Sequence, residues 1–581
     1  MPRSLKIYVF WRFPVKEAGR LSFFGLNLSP LIKVKVNFKS NAYMKRRILL
    51  ALVGVLVLYG LVTFFFADPV PDGRIPSSAI FGDNSLLQHP QDCVLVSAGS
   101  HYQRSKAGEF FLGKHYREVW AVPVKAKVFH MNEVEGGLSI EKLGGGMQTT
   151  SLTLTDKTGR RFALRSVDKD PIQVLPAFWR KTFIGSFVRD QVSATNPYAA
   201  LVVPPLAKAA QVFHSSPKLV YVLPADQDFK QYSNLFGSKL FLMEEKFTSR
   251  ASVAKELGAA TQVVDTDQML HRRFQSSRHR IDQWAFARAR LLDLLLSDWD
   301  RHEGQWDWAA FNQENEIWYK PIPKDRDQAL CLYDDGLIPW LATRKFAARK
   351  FESFHPKFKD VFGLTINAAF LDARALSEVS LVDFRRLARE MQVALSDSVL
   401  RVAAHRLPPP VYALIGEETF QKLRSRRQLL VQTAEEYYKI LAKEVAVVGA
   451  DEPERFVVQR LSQGKTVVEV YRLGKGNINI AKVYSRTFFA DETQQINLYG
   501  LKGDDIFDIS GSAGKGSYVT IYGGAGKDQV TDKSNVEGWR KKTVVVDDKK
   551  GVLVQAGPIT ETELSATPTD VPAFVRVRLR E

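Results

Sequence analysis

Twenty consecutive apolar residues, Ile48–Ala67, set the first limit on how this chain is built. The run ILLALVGVLVLYGLVTFFFA carries no charge, with Lys45-Arg46-Arg47 before it and Asp68-Pro69 after it. That length crosses the hydrocarbon of a bilayer as a helix, and the basic flank predicts an N-in, C-out orientation. A buried core helix is the competing reading, and the basic doorstep counts against it. The run is long for the apolar part of an export signal, and Thr63–Asp68 offers no small-x-small cleavage site, which favours a retained anchor over a cleaved peptide. Met44 stands directly before the basic triplet, so residues 1–43 read as a leader produced by the choice of start site. The expectation is a membrane protein whose main body is periplasmic or extracellular.

The 581 residues leave room for two or three domains beyond that segment. A net charge of +18 invites a nucleic-acid reading. The cations are spread along the chain, however, with no basic stripe interleaved with aromatics and no zinc-ligand spacing, so no specific nucleic acid is expected. Attraction to anionic lipid or to an acidic envelope polymer accounts for the charge equally well. Cys93 and Cys331 allow at most one disulfide and no disulfide scaffold.

The expected architecture is α+β: an N-terminal transmembrane helix, a two-lobed domain and an all-β module. Residues 44–68 form the anchor or signal, and the Pro/Ser/Asp/Gly-rich start of 69–111 is a linker and approach segment. Strand-like alternation fills 112–245, as in Ser151–Thr155 and Arg161–Val167 about the Lys157-Thr158-Gly159 turn. A helical signal over Gln191–Gln211 is interrupted at Asn196-Pro197 and Pro204-Pro205. Residues 246–450 are mainly helical. In Gln268–Leu296, Trp284, Ala287, Leu291 and Leu295 mark one buried face, Arg288 and Arg290 fall off it, and Leu291–Leu296 should be enclosed. Residues 451–550 turn to short strands with glycine turns, and 551–581 form a tail.

Chemistry concentrates where that helix ends, in Ser297-Asp298-Trp299-Asp300-Arg301-His302-Glu303-Gly304-Gln305. Asp300 has the group to accept a hydroxyl proton, Gln305 to offer an amide oxygen to a cation, and His302 to brace the loop or move a proton. A hairpin through Trp306–Phe311 and Glu316–Lys320 would return Asp325 or Asp327 to Asp300 and Gln305, an oxygen-rich set suited to magnesium or manganese. Upstream, Gly144-Gly145-Gly146 makes a turn whose backbone amides approach phosphate, although such a turn also serves as a plain hairpin. Arg165 and Lys169 follow, and either cation suits a phosphate; both also read as ordinary surface charge.

In this order the features resemble the atypical protein-kinase-like superfamily, in particular the spore-coat kinase CotH group, with a more distant likeness to HipA toxins and secretory-pathway kinases. The match runs through Gly144–Gly146, Arg165 or Lys169, Met243-Glu244-Glu245 at a hinge, Asp300–Gln305 and Pro321–Asp327, covering about residues 115–400. The resemblance implies a small β lobe and a larger helical lobe, ATP with Mg2+ or Mn2+, and phosphoryl transfer to a protein or small hydroxyl acceptor. It implies that Asp300 is the catalytic-loop aspartate, that Asp325 or its rival Asp327 binds metal, and that Glu244 and Glu245 belong to the hinge. Gln305 stands where the family has a metal-binding asparagine, a departure that weakens metal binding or marks an inactive member.

Near the C-terminus, Gly523-Gly524-Ala525-Gly526-Lys527-Asp528 resembles one turn of a repeat-in-toxin β-helix, with Gly503-Asp504-Asp505 as a degenerate neighbour. That likeness implies Ca2+ near Asp505 and Asp528, against a small β domain with tight glycine turns. Only these turns are evident, whereas a β-helix needs stacked repeats.

The leading expectation is therefore an envelope-exposed phosphotransferase acting on a protein or surface polymer. Its rivals are a catalytically degenerate kinase-like scaffold and a metal-dependent phosphoester hydrolase using the same acidic cluster with water.

Overall fold

The computed structural model describes residues 93–566 apart from 145–147, 249–251 and 254–255, together with 50, 53–54, 57, 60, 77–78 and 80–81. The transmembrane helix of the expected architecture is not found. No helix among the described residues is long and apolar enough to cross a membrane. Most of the Ile48–Ala67 run lies outside the described residues.

Alternation of apolar and polar side chains builds the first lobe, an eight-stranded sheet. Across it the strands run Ile80–Phe81, Cys93–Val96, Val124–Val128, Lys218–Val222, Lys239–Lys246, Arg161–Ser166, Ser151–Asp156 and Leu138–Gly144. One face buries Leu152, Leu154, Phe162, Leu164, Phe241 and Met243. The strand Cys93–Val96 enters this sheet from a stretch that composition alone marks as an approach segment, because Val94 and Val96 bury their side chains.

The helical signal over Gln191–Gln211 resolves into a 3-10 turn, Gln191–Ala194, and a helix, Ala199–Ala209, that runs through both Pro204 and Pro205. Each proline removes a backbone donor and disfavours a helix interior. Here Ala199, Leu201, Val202, Val203 and Leu206 are all enclosed, so burial on nearly every side offsets the lost bonds.

In the second lobe the helix Gln283–Leu296 is the central pillar. Ala287, Leu291 and Leu295 are fully buried and the last turn is enclosed, as the periodicity predicts. Arg290 differs from expectation: it is fully buried too. Beside the pillar lies a four-stranded sheet in the order His279–Ile281, Glu316–Pro323, Trp306–Gln313, Gln262–Asp265. The two middle strands are the expected hairpin, in register from Gln313 opposite Glu316 to Trp306 opposite Pro323. The helices Leu381–Ala394, Asp397–Ala404, Pro409–Gln428 and Leu430–Ala442 complete the lobe. The proline run supplies the first residues of the third helix, where a missing N–H costs nothing.

Beyond Ala442 the chain winds into a two-sheet parallel solenoid. One sheet stacks Glu444–Val448, Gln495–Lys502, Tyr518–Ala525, Thr543–Asp548 and Thr560–Ser565, all parallel. The facing sheet stacks Glu454–Leu461, Ile506–Ala513, Asp528–Asp532 and Val552–Gln555, also parallel. The antiparallel pair Lys465–Leu473 and Asn479–Phe489 extends its edge. Val447, Phe456, Leu498, Phe507, Ile521 and Val530 fill the space between the sheets. The stacked repeats that two glycine turns alone do not reveal are therefore present, with divergent outer strands. The solenoid is held to the second lobe: Arg273 donates to the carbonyls of Val448 (3.0 Å) and Gly449 (3.2 Å), and Tyr484 Oη donates to the Ser377 carbonyl at 2.8 Å.

Candidate active site between the lobes

The pillar helix stops at Ser297, whose φ of 51° is left-handed, and the chain turns into Asp298–Arg301. Because the hairpin closes at Trp306 opposite Pro323, the residues just outside it are forced together. Lys324 N–H donates to the Gln305 carbonyl at 2.9 Å, and Arg301 donates to the carbonyls of Lys324 (2.7 Å) and Gln305 (3.0 Å). The Asp300 loop and the Asp325 loop are thus one unit.

That unit stands on a buried ionic cluster. Arg326 pairs with Asp293, and with Asp298 at 2.9 Å. Arg301 approaches Asp293 at 3.4 Å. Arg290 pairs with Asp293 (2.6 Å) and Asp372 (2.8 Å), and Tyr437 Oη donates to Asp372 at 2.7 Å. Burial opposes a charge on Asp293, but Arg326, Arg301 and Arg290 outweigh it and hold the carboxyl below its ordinary range. Charges taken out of water persist only when paired in this way. The sequence hint was the pair Arg290 and Asp293, three apart where the helix is otherwise turning apolar.

Above the cluster, Asp325 adopts a left-handed φ of 53°. Lys169 crosses from the first lobe to pair with Asp327, and Arg165 pairs with Glu244 on the neighbouring strand. Burial opposes the ammonium of Lys169, yet Asp327 and Asp325 hold its pKa above the ordinary value, with Asp300 adding to them. Burial likewise opposes ionisation of Asp325, and Arg165 and Lys169 keep it well below the usual carboxylate range. Burial and the adjacent Asp325 push Asp327 the other way, up to about 7. Arg165, Lys169, Glu244, Asp325 and Asp327 line one cavity between the lobes.

Asp300 is oriented by Asn367, whose Nδ2 donates to Oδ1 at 3.0 Å. Asn367 carried no signal, because it lies in an unremarkable helical stretch far along the chain. His302 takes the bracing role: its Nδ1 accepts the Gly304 N–H at 3.1 Å. Gln305 contributes its carbonyl to the loop-to-loop contact described above.

The two hinge glutamates separate, as alternation along a strand requires. Glu244 faces the cavity, whereas Glu245 pairs with Arg160 at 2.6 Å. Gly144 ends its strand opposite Ser151, which is itself opposite Arg165. Gly145 and Gly146 lie outside the described residues. The far arm of that turn is tied to the cationic segment, since Asp170 N–H donates to the Gln148 carbonyl at 2.9 Å.

In the solenoid, the carboxylates expected near calcium turn inward. Asp505 accepts the Glu454 N–H at 2.8 Å and Asp528 accepts the Asp505 N–H at 2.9 Å. Among the described residues no three His, Cys, Asp or Glu side chains are arranged to hold a metal ion. The geometry at Asp505 and Asp528 is that of carboxylates joining successive turns.

No family model matches the chain, and no curated protein matches it. Among solved structures it is similar to the Helicobacter pylori proinflammatory kinase CtkA, at 13% identity and a TM-score of 0.29, covering 52% of this chain and 95% of that one. It is also similar to the Shewanella oneidensis MR-1 toxin–antitoxin system HipA, HipB with its operator DNA, at 14% identity and a TM-score of 0.24, covering 53% of this chain and 70% of that one. At these scores the functional reading rests on the cleft itself.

Proposed function

We propose that the cleft transfers a phosphoryl group from a nucleotide to a hydroxyl acceptor. The observation that carries this reading is that two first-lobe cations, Arg165 and Lys169, meet the Asp325–Asp327 pair, and that the hairpin fixes this pair to the loop bearing Asp300. Lys169 has the charge and position to neutralise a phosphate. Asp300, aimed by Asn367, is the group to take the acceptor's hydroxyl proton as that oxygen bonds to phosphorus and the nucleoside diphosphate leaves.

The donor set suits a divalent cation in one respect. Two carboxylates as close as Asp325 and Asp327 repel unless a proton or cation lies between them. Asp325 and Asp327 are the residues that would hold such an ion. When bound, it would supply further neutralisation of phosphate charge.

Gln305 favours a second reading, a kinase-like scaffold that binds nucleotide without transfer, because it departs from the family's asparagine. The test is transfer of labelled γ-phosphate by the purified chain with Mg2+ or Mn2+, to itself and to extracted envelope proteins and polymers. Transfer that disappears in Asp300→Ala supports the first reading. Nucleotide binding without transfer supports the second, and phosphate release to water alone would point to a hydrolase.

A further inference from the structure

The short helix Leu337–Ala342 follows the acidic loop and forms one wall of a cavity that reaches Lys169 and Tyr333, with Pro339 and Ala342 turned inward. Its other side is unusual. Leu337, Ile338, Trp340 and Leu341 are between 43% and 53% exposed, and Phe346 just beyond is 80% exposed. The helix Lys106–Leu112 packs beside it and presents Phe110 and Phe111, 63% and 48% exposed. Single exposed apolar residues are ordinary, but a contiguous set marks a surface that something covers.

The patch is held rigidly. His115 N–H donates to Asp335 at 2.6 Å, the His115 ring lies 3.0 Å from the same carboxylate, and a side chain at Gly336 would collide with Gly113. The apolar side chains are therefore presented by a fixed platform.

Charge identifies the occupant. The stretch Leu337–Lys350 contains Arg344, Lys345, Arg349 and Lys350 and no carboxylate. Arg349 is engaged with Asp360 and Arg344 stacks on Trp340, while Lys345 is exposed. On the adjacent helix and just past its end, Lys106 and Lys114 are exposed and pair with Glu109 (3.3 Å) and Glu118 (3.8 Å), so among the described residues the unopposed exposed charge of this face is that of Lys345. Protruding Trp, Phe and Leu interleaved with Lys and Arg form the pattern of a surface that lies in the boundary layer of a bilayer and is drawn to anionic lipid. A protein partner's core contact would instead call for depleted lysine.

We propose that this face seats on an anionic lipid bilayer, with Phe110, Phe111, Ile338, Trp340, Leu341 and Phe346 entering the headgroup boundary. The inner side of the same helix walls the cavity above Lys169, so docking brings the cleft mouth to headgroup level. The proposal stands whether or not the cleft transfers phosphate.

The experiment uses the full chain carrying Cys93→Ser, with Phe346→Cys labelled by an environment-sensitive fluorophore, so that the signal reports this face rather than any other tether. The expected result is a blue shift with vesicles of phosphatidylcholine plus phosphatidylglycerol, little with phosphatidylcholine alone, and reversal by salt. Adding Lys345→Glu should weaken the response on the order of tenfold. No shift, or an equal shift with neutral vesicles, overturns the proposal. A lipid-independent shift that grows with protein concentration together with dimer formation also overturns it, by assigning the face to a second copy. Circular dichroism of each variant matching the parent excludes misfolding of these exposed-site changes.

Discussion

Arg301 donates to the Lys324 carbonyl at 2.7 Å while lying fully buried beneath the Asp300 loop. One guanidinium thus sets the spacing between the loop proposed to accept a proton and the loop proposed to face phosphate.

Removing that guanidinium should cost both fold and activity. Arg301→Met leaves Asp293 and Asp298 short of a partner and frees two carbonyls, a loss of about 3–5 kcal/mol on the scale of broken buried ion pairs. Chemical denaturation should show a lower midpoint, and transfer should fall even where the protein remains folded.

Asp300→Ala should abolish transfer while leaving the melting temperature nearly unchanged, since among the described residues this half-buried carboxylate accepts a hydrogen bond from Asn367 alone. Asn367→Ala should retain the proton acceptor and lose its aim, lowering kcat by about 10²-fold with little change in nucleotide affinity. Steady-state kinetics on both variants separates the two roles.

Of the two cations, Lys169 should matter more. Lys169→Ala removes the charge that meets Asp327 directly, whereas Arg165→Ala releases Glu244. The expected loss in kcat/KM is on the order of 10²–10³ for Lys169 and smaller for Arg165. Equal losses would show that the cations act as a pair.

The solenoid should weaken as pH rises. Burial first, and neighbouring carboxylates next, push Asp505 up to about 10 and Asp528 to about 7; burial does the same for Glu454, to about 7, and Asp547, to about 6. Each has one side-chain oxygen buried without a partner. An unfolded carboxyl titrates near ~4, so the folded state retains protons that the unfolded chain has lost. The stabilisation is fully present below about pH 4 and declines as pH climbs through these folded values. Thermal melts at pH 5 and pH 8 should therefore show a less stable solenoid at the higher pH, and Asp528→Asn should reduce the difference.

Gly523 sits where the Asp528 and Asp547 side chains turn inward, and a Cβ there would collide with both carboxylates. Gly523→Ala should destabilise the solenoid by about 1–3 kcal/mol, as overpacking does. A melt that tracks the solenoid, with the cleft's nucleotide affinity unchanged, would localise the effect.

Local pattern was enough to read the hairpin through Trp306–Phe311 and Glu316–Lys320 and therefore the joining of the Asp300 loop to the loop that carries Asp325 and Asp327, because a register is set by two neighbouring strands. It was not enough for Arg290. Helical spacing put that side chain off the apolar face, and only partners distant in sequence, such as Asp372, make its burial tolerable. Asn367 was invisible for the same reason. Of the solenoid, the sequence marked only short strands and two turns, Gly503-Asp504-Asp505 and Gly523–Asp528. The outer turns use other residues, and the inserted hairpin Lys465–Phe489 interrupts the repeat. The apolar run that dominates the N-terminal sequence contributes no helix that the described structure shows crossing a membrane.

Arg273 is part-buried where the second lobe meets the solenoid, and its hydrogen-bond acceptors among the solenoid residues are the carbonyls of Val448 and Gly449. A chain cut at residue 443 would take away both of these acceptors and strip Ser377 of the donors from Tyr484 and Arg486. Expression of the lobes alone should accordingly give an aggregating product, so the boundary that composition suggests near residue 450 is a poor place for scissors.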